Sequence, residues 1–89
     1  METSKDQMQK LKLAVLVSGS GTNLQSLIDA QKEGYFNSEI ALVVSNKASA
    51  YGLTRAENAG IKAIVIKSDK ELLDALLENE IDLIVLAGY

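Results

Sequence analysis

Four short apolar runs that alternate with segments of helical periodicity constrain the fold of this chain more than any other feature. The apolar runs cover residues 13–17, 40–44, 63–66 and 83–86. Helical patterns cover residues 23–32 and 50–59, and a third pattern begins after Ser68. The run at 13–17 is nearly continuous, which is typical of a strand covered on both faces. This alternation predicts a parallel sheet joined by right-handed crossovers.

Capping signals mark the ends of the predicted helices. Gly34 is predicted to end the first helix, Ser49 to cap the second, and Gly60 to end it. Ser68 and Glu71 have the spacing of a capping box at the start of the third helix. That helix has leucines at positions 72, 73, 76 and 77, which predict a single apolar stripe.

The fourth strand is predicted to pair beside the first, which gives the strand order 3-2-1-4. The direction of winding then reverses between these two strands, and ligands of such sheets bind in the crevice at that point. Residues 19–23 would border this crevice on one side, and Gly88 and Tyr89 on the other. The predicted fold class is therefore α/β, a Rossmann-like three-layer fold with a parallel sheet of four strands and three helices.

The extent of the domain follows from the two ends of the pattern. Residues 1–10 are polar and are interpreted as a disordered lead-in or an expression remnant, and residues 11–89 as the N-terminal half of one domain. The fourth strand is apolar on both faces, and no helical pattern follows it. These features predict the N-terminal half of a larger fold, incomplete at its C-terminus, with a sheet edge that promotes self-association. A small, complete four-strand domain is the alternative.

Composition restricts the chemistry that this chain can perform. There is no His and no Cys, so an imidazole base, a thiol nucleophile and a disulfide framework are excluded. The net charge of −3, without blocks of like charge, argues against an extended nucleic-acid surface. The apolar runs are too short to cross a membrane, and the absence of Cys fits a cytoplasmic protein. The acidic residues after Ser68 show no convincing acid–base pairing, and no metal site is predicted.

The sharpest motif is the glycine-rich loop of residues 18–22, between the first strand and the first helix. Glycine lets the backbone approach a ligand, and the free N–H groups and dipole of a helix start favour an anion. The Gly-Lys-Ser/Thr ending of a Walker A loop is absent, and Leu24 stands at the third glycine position of the dinucleotide fingerprint. The loop therefore favours a single phosphate, with a purely structural turn as the alternative.

Polar residues after the second strand form a second candidate. Ser45, Asn46 and Lys47 lie where ligands of α/β sheets gather and could accept the 2′-phosphate of NADP. A solvated loop that leads into the next helix is the favoured interpretation. Arg55, in the following helix, could reach a ligand, although an exposed helical Arg is more often only solvated.

Three segments, in the same order, resemble the glycinamide ribonucleotide transformylases (phosphoribosylglycinamide formyltransferases). They are residues 16–25, residues 44–56 with Ser45-Asn46-Lys47 and Gly52-Leu53, and residues 81–89. This family transfers a formyl group from 10-formyltetrahydrofolate to the amine of glycinamide ribonucleotide in purine biosynthesis. Formyltetrahydrofolate hydrolases and methionyl-tRNA formyltransferases are similar here but differ in the first loop.

The resemblance implies roles for individual positions. Gly21, Thr22 and Asn23 match the residues that hold the substrate phosphate, and the folate site begins around Tyr89. Lys70 is the candidate for a basic folate contact. The Asn, His and Asp that act in the transfer lie beyond this chain, so no catalytic residue is assigned. An NADP-binding Rossmann fragment and an inactive truncated domain are the alternatives.

Overall fold

The structure is a computed structural model that describes residues 11–89. The strands are β1 (Lys12–Val17), β2 (Glu39–Ser45), β3 (Lys62–Val65) and β4 (Leu83–Leu86). The helices are α1 (Thr22–Lys32), α2 (Tyr51–Asn58) and α3 (Asp69–Glu78). The strands form one parallel sheet in the order β3-β2-β1-β4, which confirms the predicted fold class and strand order. The interpretation of residues 1–10 lies outside the described residues.

The central strand β1 separates two apolar layers. Leu13, Val15 and Val17 lie in the core beneath α1 and α2, whereas Ala14 and Leu16 lie in the core beneath α3. An irregularity in the β1–β2 pairing falls between Leu13 and Ala14. Leu13 pairs with Ile40 and Ala14 with Leu42, so Ala41 has no partner in β1. The alternation of β2 side chains between the two faces of the sheet therefore shifts by one residue at this point. The result is the predicted three-layer arrangement of helices, sheet and helix.

The predicted cap of α2 is wrong. Ala50, not Ser49, is the N-cap residue, and no side chain caps this helix. Ala50 is buried against the core, and its N–H donates to the carbonyl of Lys47 at 3.1 Å. Ser49 lies within this turn, one residue before the N-cap position. The N–H of Gly52, in the first turn, donates instead to the carbonyl of Gly19 at 3.1 Å.

The predicted cap of α3 is confirmed in its first half. The Ser68 hydroxyl accepts a hydrogen bond from the N–H of Glu71 at 3.2 Å. The Glu71 carboxylate accepts from the N–H of Lys67 at 2.7 Å rather than from that of Ser68. The reciprocal contact of the capping box is therefore displaced by one residue.

The outer side of the sheet at β4 is only partly covered. Leu83, Ile84 and Leu86 are 52%, 45% and 69% exposed. The predicted leucine stripe of α3 divides, because the side chains at positions 72 and 76 pack on the sheet while those at 73 and 77 stay exposed. Within residues 11–89, no helix is long and apolar enough to cross a membrane.

Candidate anion-binding site

The loop between β1 and α1 is shaped by Gly21, the N-cap residue of α1. Gly21 has a φ of +77°, a left-handed conformation that glycine adopts without steric cost. A Cβ atom on Gly21 would lie 2.5 Å from the Cα of Gly52. The backbones of the loop and α2 are therefore in direct contact at Gly21 and Gly52. A side chain on Gly21 would prevent this close approach.

The start of α1 presents unpaired backbone donors. Its first internal hydrogen bond runs from the N–H of Gln25 to the carbonyl of Gly21, at 2.9 Å. Within the described part of the chain, nothing accepts from the N–H groups of residues 20–23, and no side chain caps the helix. Free N–H groups at the positive end of a helix dipole are suited to bind an anion.

A cavity of about 240 Å³ lies at this loop. It is lined by residues 18–23 together with Ala87 and Gly88. The two sides are joined where the Ser18 hydroxyl donates to the carbonyl of Gly88 at 2.6 Å. The structure thus brings Gly21, Thr22 and Asn23 together with the end of β4, at the strand switch point. The side chains of Thr22 and Asn23 are exposed there and supply hydroxyl and amide groups.

A second, larger cavity lies at the carboxyl end of the sheet, among residues that follow β2, β3 and β4. Its volume is about 440 Å³, and Asn46, Ile66, Lys67, Ser68, Asp69 and Tyr89 line it. Tyr89, which the resemblance places at the start of the folate site, is 48% exposed. Lys70 does not line this cavity and forms an exposed ion pair with Asp74 at 3.1 Å. Lys67, a basic residue that the sequence interpretation passed over, lies at the cavity instead.

The turn after β2 uses its serine internally. Ser45 is completely buried, and its hydroxyl accepts from the N–H of Lys47 at 3.0 Å and donates to the carbonyl of Lys47 at 3.1 Å. This hydroxyl is therefore not directed at a ligand, and the NADP interpretation loses one of its three contacts. Asn46 and Lys47 are exposed.

Arg55 is the residue whose surroundings the sequence did not reveal. It is half-buried, and its Nε donates to the carbonyl of Ser20 at 2.8 Å. Its partner lies 35 positions away along the chain, so no local pattern could have indicated the contact. Within residues 11–89, no group of three or more His, Cys, Asp or Glu residues is arranged to hold a metal ion.

The chain belongs to the formyl transferase family, whose family model matches residues 11–89. This agrees with the Rossmann-like sheet and with the donor-rich loop at the switch point. The resemblance carried by the three sequence segments is therefore confirmed at the level of the family.

More specific similarity is to proteins of purine biosynthesis. The chain is 48% identical over 87 residues to phosphoribosylglycinamide formyltransferase of Haemophilus influenzae, with 88% of this chain and 41% of the relative covered. It is 45% identical over 94 residues to trifunctional purine biosynthetic protein adenosine-3 of Gallus gallus, with 96% and 9% covered.

Solved structures show the same similarity. Glycinamide ribonucleotide transformylase 1 from Geobacillus kaustophilus superposes with a TM-score of 0.86 at 37% identity, covering 91% of this chain and 48% of that one. The chain thus spans less than half the length of these curated relatives and solved structures.

Proposed function

We propose that this chain provides the substrate-phosphate site of a phosphoribosylglycinamide formyltransferase. The reaction is transfer of the formyl group of 10-formyltetrahydrofolate to the amine of glycinamide ribonucleotide in purine biosynthesis. The observation that carries the proposal is the row of unpaired N–H groups at residues 20–23, beside the switch-point cavity. The names of the similar proteins support the choice of substrate.

In this proposal, Gly21, Thr22 and Asn23 hold the substrate phosphate. Backbone N–H groups and the dipole of α1 neutralise part of its charge, and the exposed side chains at 22 and 23 add polar contacts. An anchored phosphate fixes the far end of the substrate, so that its amine is delivered to the formyl carbon in one orientation. Binding at a remote group accelerates a reaction by such positioning.

The folate is proposed to lie on the side of Tyr89. The cavity lined by Tyr89 and Lys67 opens at the carboxyl ends of the strands. Across Gly88 it adjoins the loop between β1 and α1 (residues 18–21), here called the phosphate loop. A basic contact to an anionic folate would come from the segment around the start of α3. Lys70 is the candidate by resemblance, and Lys67 is the candidate by its position at the cavity. Replacing each lysine by Met and measuring folate affinity would decide between them.

The chain alone is proposed to bind without catalysing. None of its 89 residues is a His, and general acid–base catalysis near neutral pH most often depends on this residue. The alternative of an NADP site is not favoured, because the Ser45 hydroxyl is already bonded to Lys47. A cytoplasmic location stays a prediction of the sequence.

A titration of the 15N-labelled chain with glycinamide ribonucleotide tests this function. We expect the amide signals of Gly21, Thr22 and Asn23 to shift with saturation. The signal of Tyr35, which follows the C-terminal end of α1, should stay unchanged. NADPH serves as the competing ligand, and an assay with 10-formyltetrahydrofolate measures turnover. Saturable binding of NADPH in place of the ribonucleotide, or formyl transfer by the 89-residue chain, would contradict the proposal.

A further inference from the structure

Arg55 holds the phosphate loop in place from α2, and we propose that it is a positioning residue for phosphate binding. The inference rests on the proposed function, because it concerns how the same loop is kept ready for its ligand. Arg55 is the only arginine in the chain. Its role would be exerted through the backbone of the loop rather than by contact with the reacting atoms.

Two successive carbonyl groups of the loop are bound from α2. The carbonyl of Gly19 accepts from the N–H of Gly52 at 3.1 Å, and that of Ser20 accepts from Arg55 Nε at 2.8 Å. In a planar trans peptide the carbonyl and the following N–H point in opposite directions, and residues 11–89 contain no cis peptide. The N–H groups of Ser20 and Gly21 therefore point away from α2. The N–H donors of this loop are therefore free to bind an anion. Its carbonyl groups, which would repel an anion, point toward α2.

The guanidinium group is itself held on three sides. Nη1 donates to the side-chain oxygen of Gln25 in α1 at 3.3 Å, and Gln25 in turn donates to Asp29 at 3.0 Å. The ring of Tyr51 lies beneath the guanidinium, 5.0 Å from its central carbon to the ring centroid. Such a stack is attractive and restricts the orientation of the planar group. Arg55 thus fixes α1, α2 and the loop relative to one another.

The charge of Arg55 is also available to the site. Within the described residues, Arg55 forms no ion pair with a carboxylate. Its positive charge therefore adds to the field at the N-terminus of α1 instead of being neutralised by contact. A lysine at this position separates the effect of charge from that of geometry. Lysine keeps the positive charge but lacks the planar guanidinium that donates to both Ser20 and Gln25.

The test compares Arg55→Met, Arg55→Lys and the control Lys32→Met, in the full chain. The control removes one positive charge in the last turn of α1, away from the loop. Ribose 5-phosphate and inorganic phosphate are the probes, followed by amide chemical shifts. We expect Arg55→Met to weaken binding about tenfold, as loss of a charge-assisted hydrogen bond does. Arg55→Lys should retain more affinity than Arg55→Met, and Lys32→Met should match the parent chain.

A second measurement separates positioning from loss of the fold and from failure of the proposed function. The amides of Gly52 and Gln25 donate to the carbonyls of Gly19 and Gly21, so their hydrogen exchange (loop exchange) reports on the order of the loop. Loop exchange should become faster in Arg55→Met, while exchange in β1 and β2 stays slow. Unchanged affinity and unchanged loop exchange in Arg55→Met would overturn the inference while leaving the phosphate site intact. If the parent chain binds neither phosphate probe, the proposed phosphate site fails, and loop exchange alone then decides whether Arg55 orders the loop.

Discussion

At the scale of single residues, the contact between Gly21 and Gly52 decides whether the loop can form. Gly21 needs a left-handed φ and has the backbone of Gly52 where a side chain would begin. A Cβ on Gly52 would in turn lie 2.9 Å from a methyl group of Val17, which is fully buried. Neither position can accommodate a side chain without a shift of backbone or core atoms, because the nearest atoms do not belong to a flexible side chain.

Replacement of Gly21 by Ala should therefore destabilise the protein. The left-handed conformation costs about 1–2 kcal/mol with a Cβ present, and the overpacked contact adds about 1–3 kcal/mol. Gly19→Ala is the matched control, because a Cβ there would meet nothing within 4 Å and φ is not positive. Thermal or urea unfolding measures both variants. Equal stability of Gly21→Ala and Gly19→Ala would show that the loop does not pack on α2 as described.

At the scale of elements, the starts of α2 and α3 are stabilised in different ways. The first turn of α3 uses its own serine, since the Ser68 hydroxyl accepts from Glu71. The first turn of α2 uses the carbonyl of Gly19 from the loop between β1 and α1, and its serine stays outside. A local cap is visible in the sequence, whereas a cap borrowed from another loop is not.

Removing the two serines should therefore have unequal effects. Ser68→Ala should lower the free energy of unfolding by about 1 kcal/mol, as is typical for loss of an N-cap hydroxyl. Ser49→Ala should change it by less than about 0.5 kcal/mol, because this exposed side chain caps nothing. Chemical denaturation at one pH compares the variants directly. A larger loss from Ser49→Ala than from Ser68→Ala would contradict the assigned caps.

At the scale of the whole molecule, the two edges of the sheet differ. Edge strand β3 begins with the charged Lys62, which discourages pairing with another chain. Edge strand β4 consists of four apolar residues, and Leu83, Ile84 and Leu86 are substantially exposed. Leucines at positions 73 and 77 of α3 are also exposed. An uncharged strand edge combined with apolar surface favours association.

We expect the 89-residue chain to self-associate through β4. Leu86→Lys places a charge on the strand edge and should shift the chain toward monomer, because burying the charge in a pairing contact is unfavourable. Tyr35→Lys is the control, since it replaces an exposed aromatic residue, 77% accessible, away from β4. Sedimentation velocity over a concentration series measures the outcome. A parent chain that stays monomeric at all concentrations and melts cooperatively would show that the four strands are self-sufficient.

The sequence by itself determined the features that arise from local periodicity and from motif order. Alternating apolar runs and helical patterns were sufficient for the parallel sheet and for the serine cap of α3, because each depends on neighbouring residues or on general rules of βαβ connection. The predicted strand order is confirmed, but it required the added assumption that β4 pairs beside β1. Tertiary structure alone decided the cap of α2, the outward turn of Leu73 and Leu77, and the surroundings of Arg55. These depend on contacts between segments far apart along the chain, such as the 35 positions between Ser20 and Arg55, and no local pattern encodes such contacts.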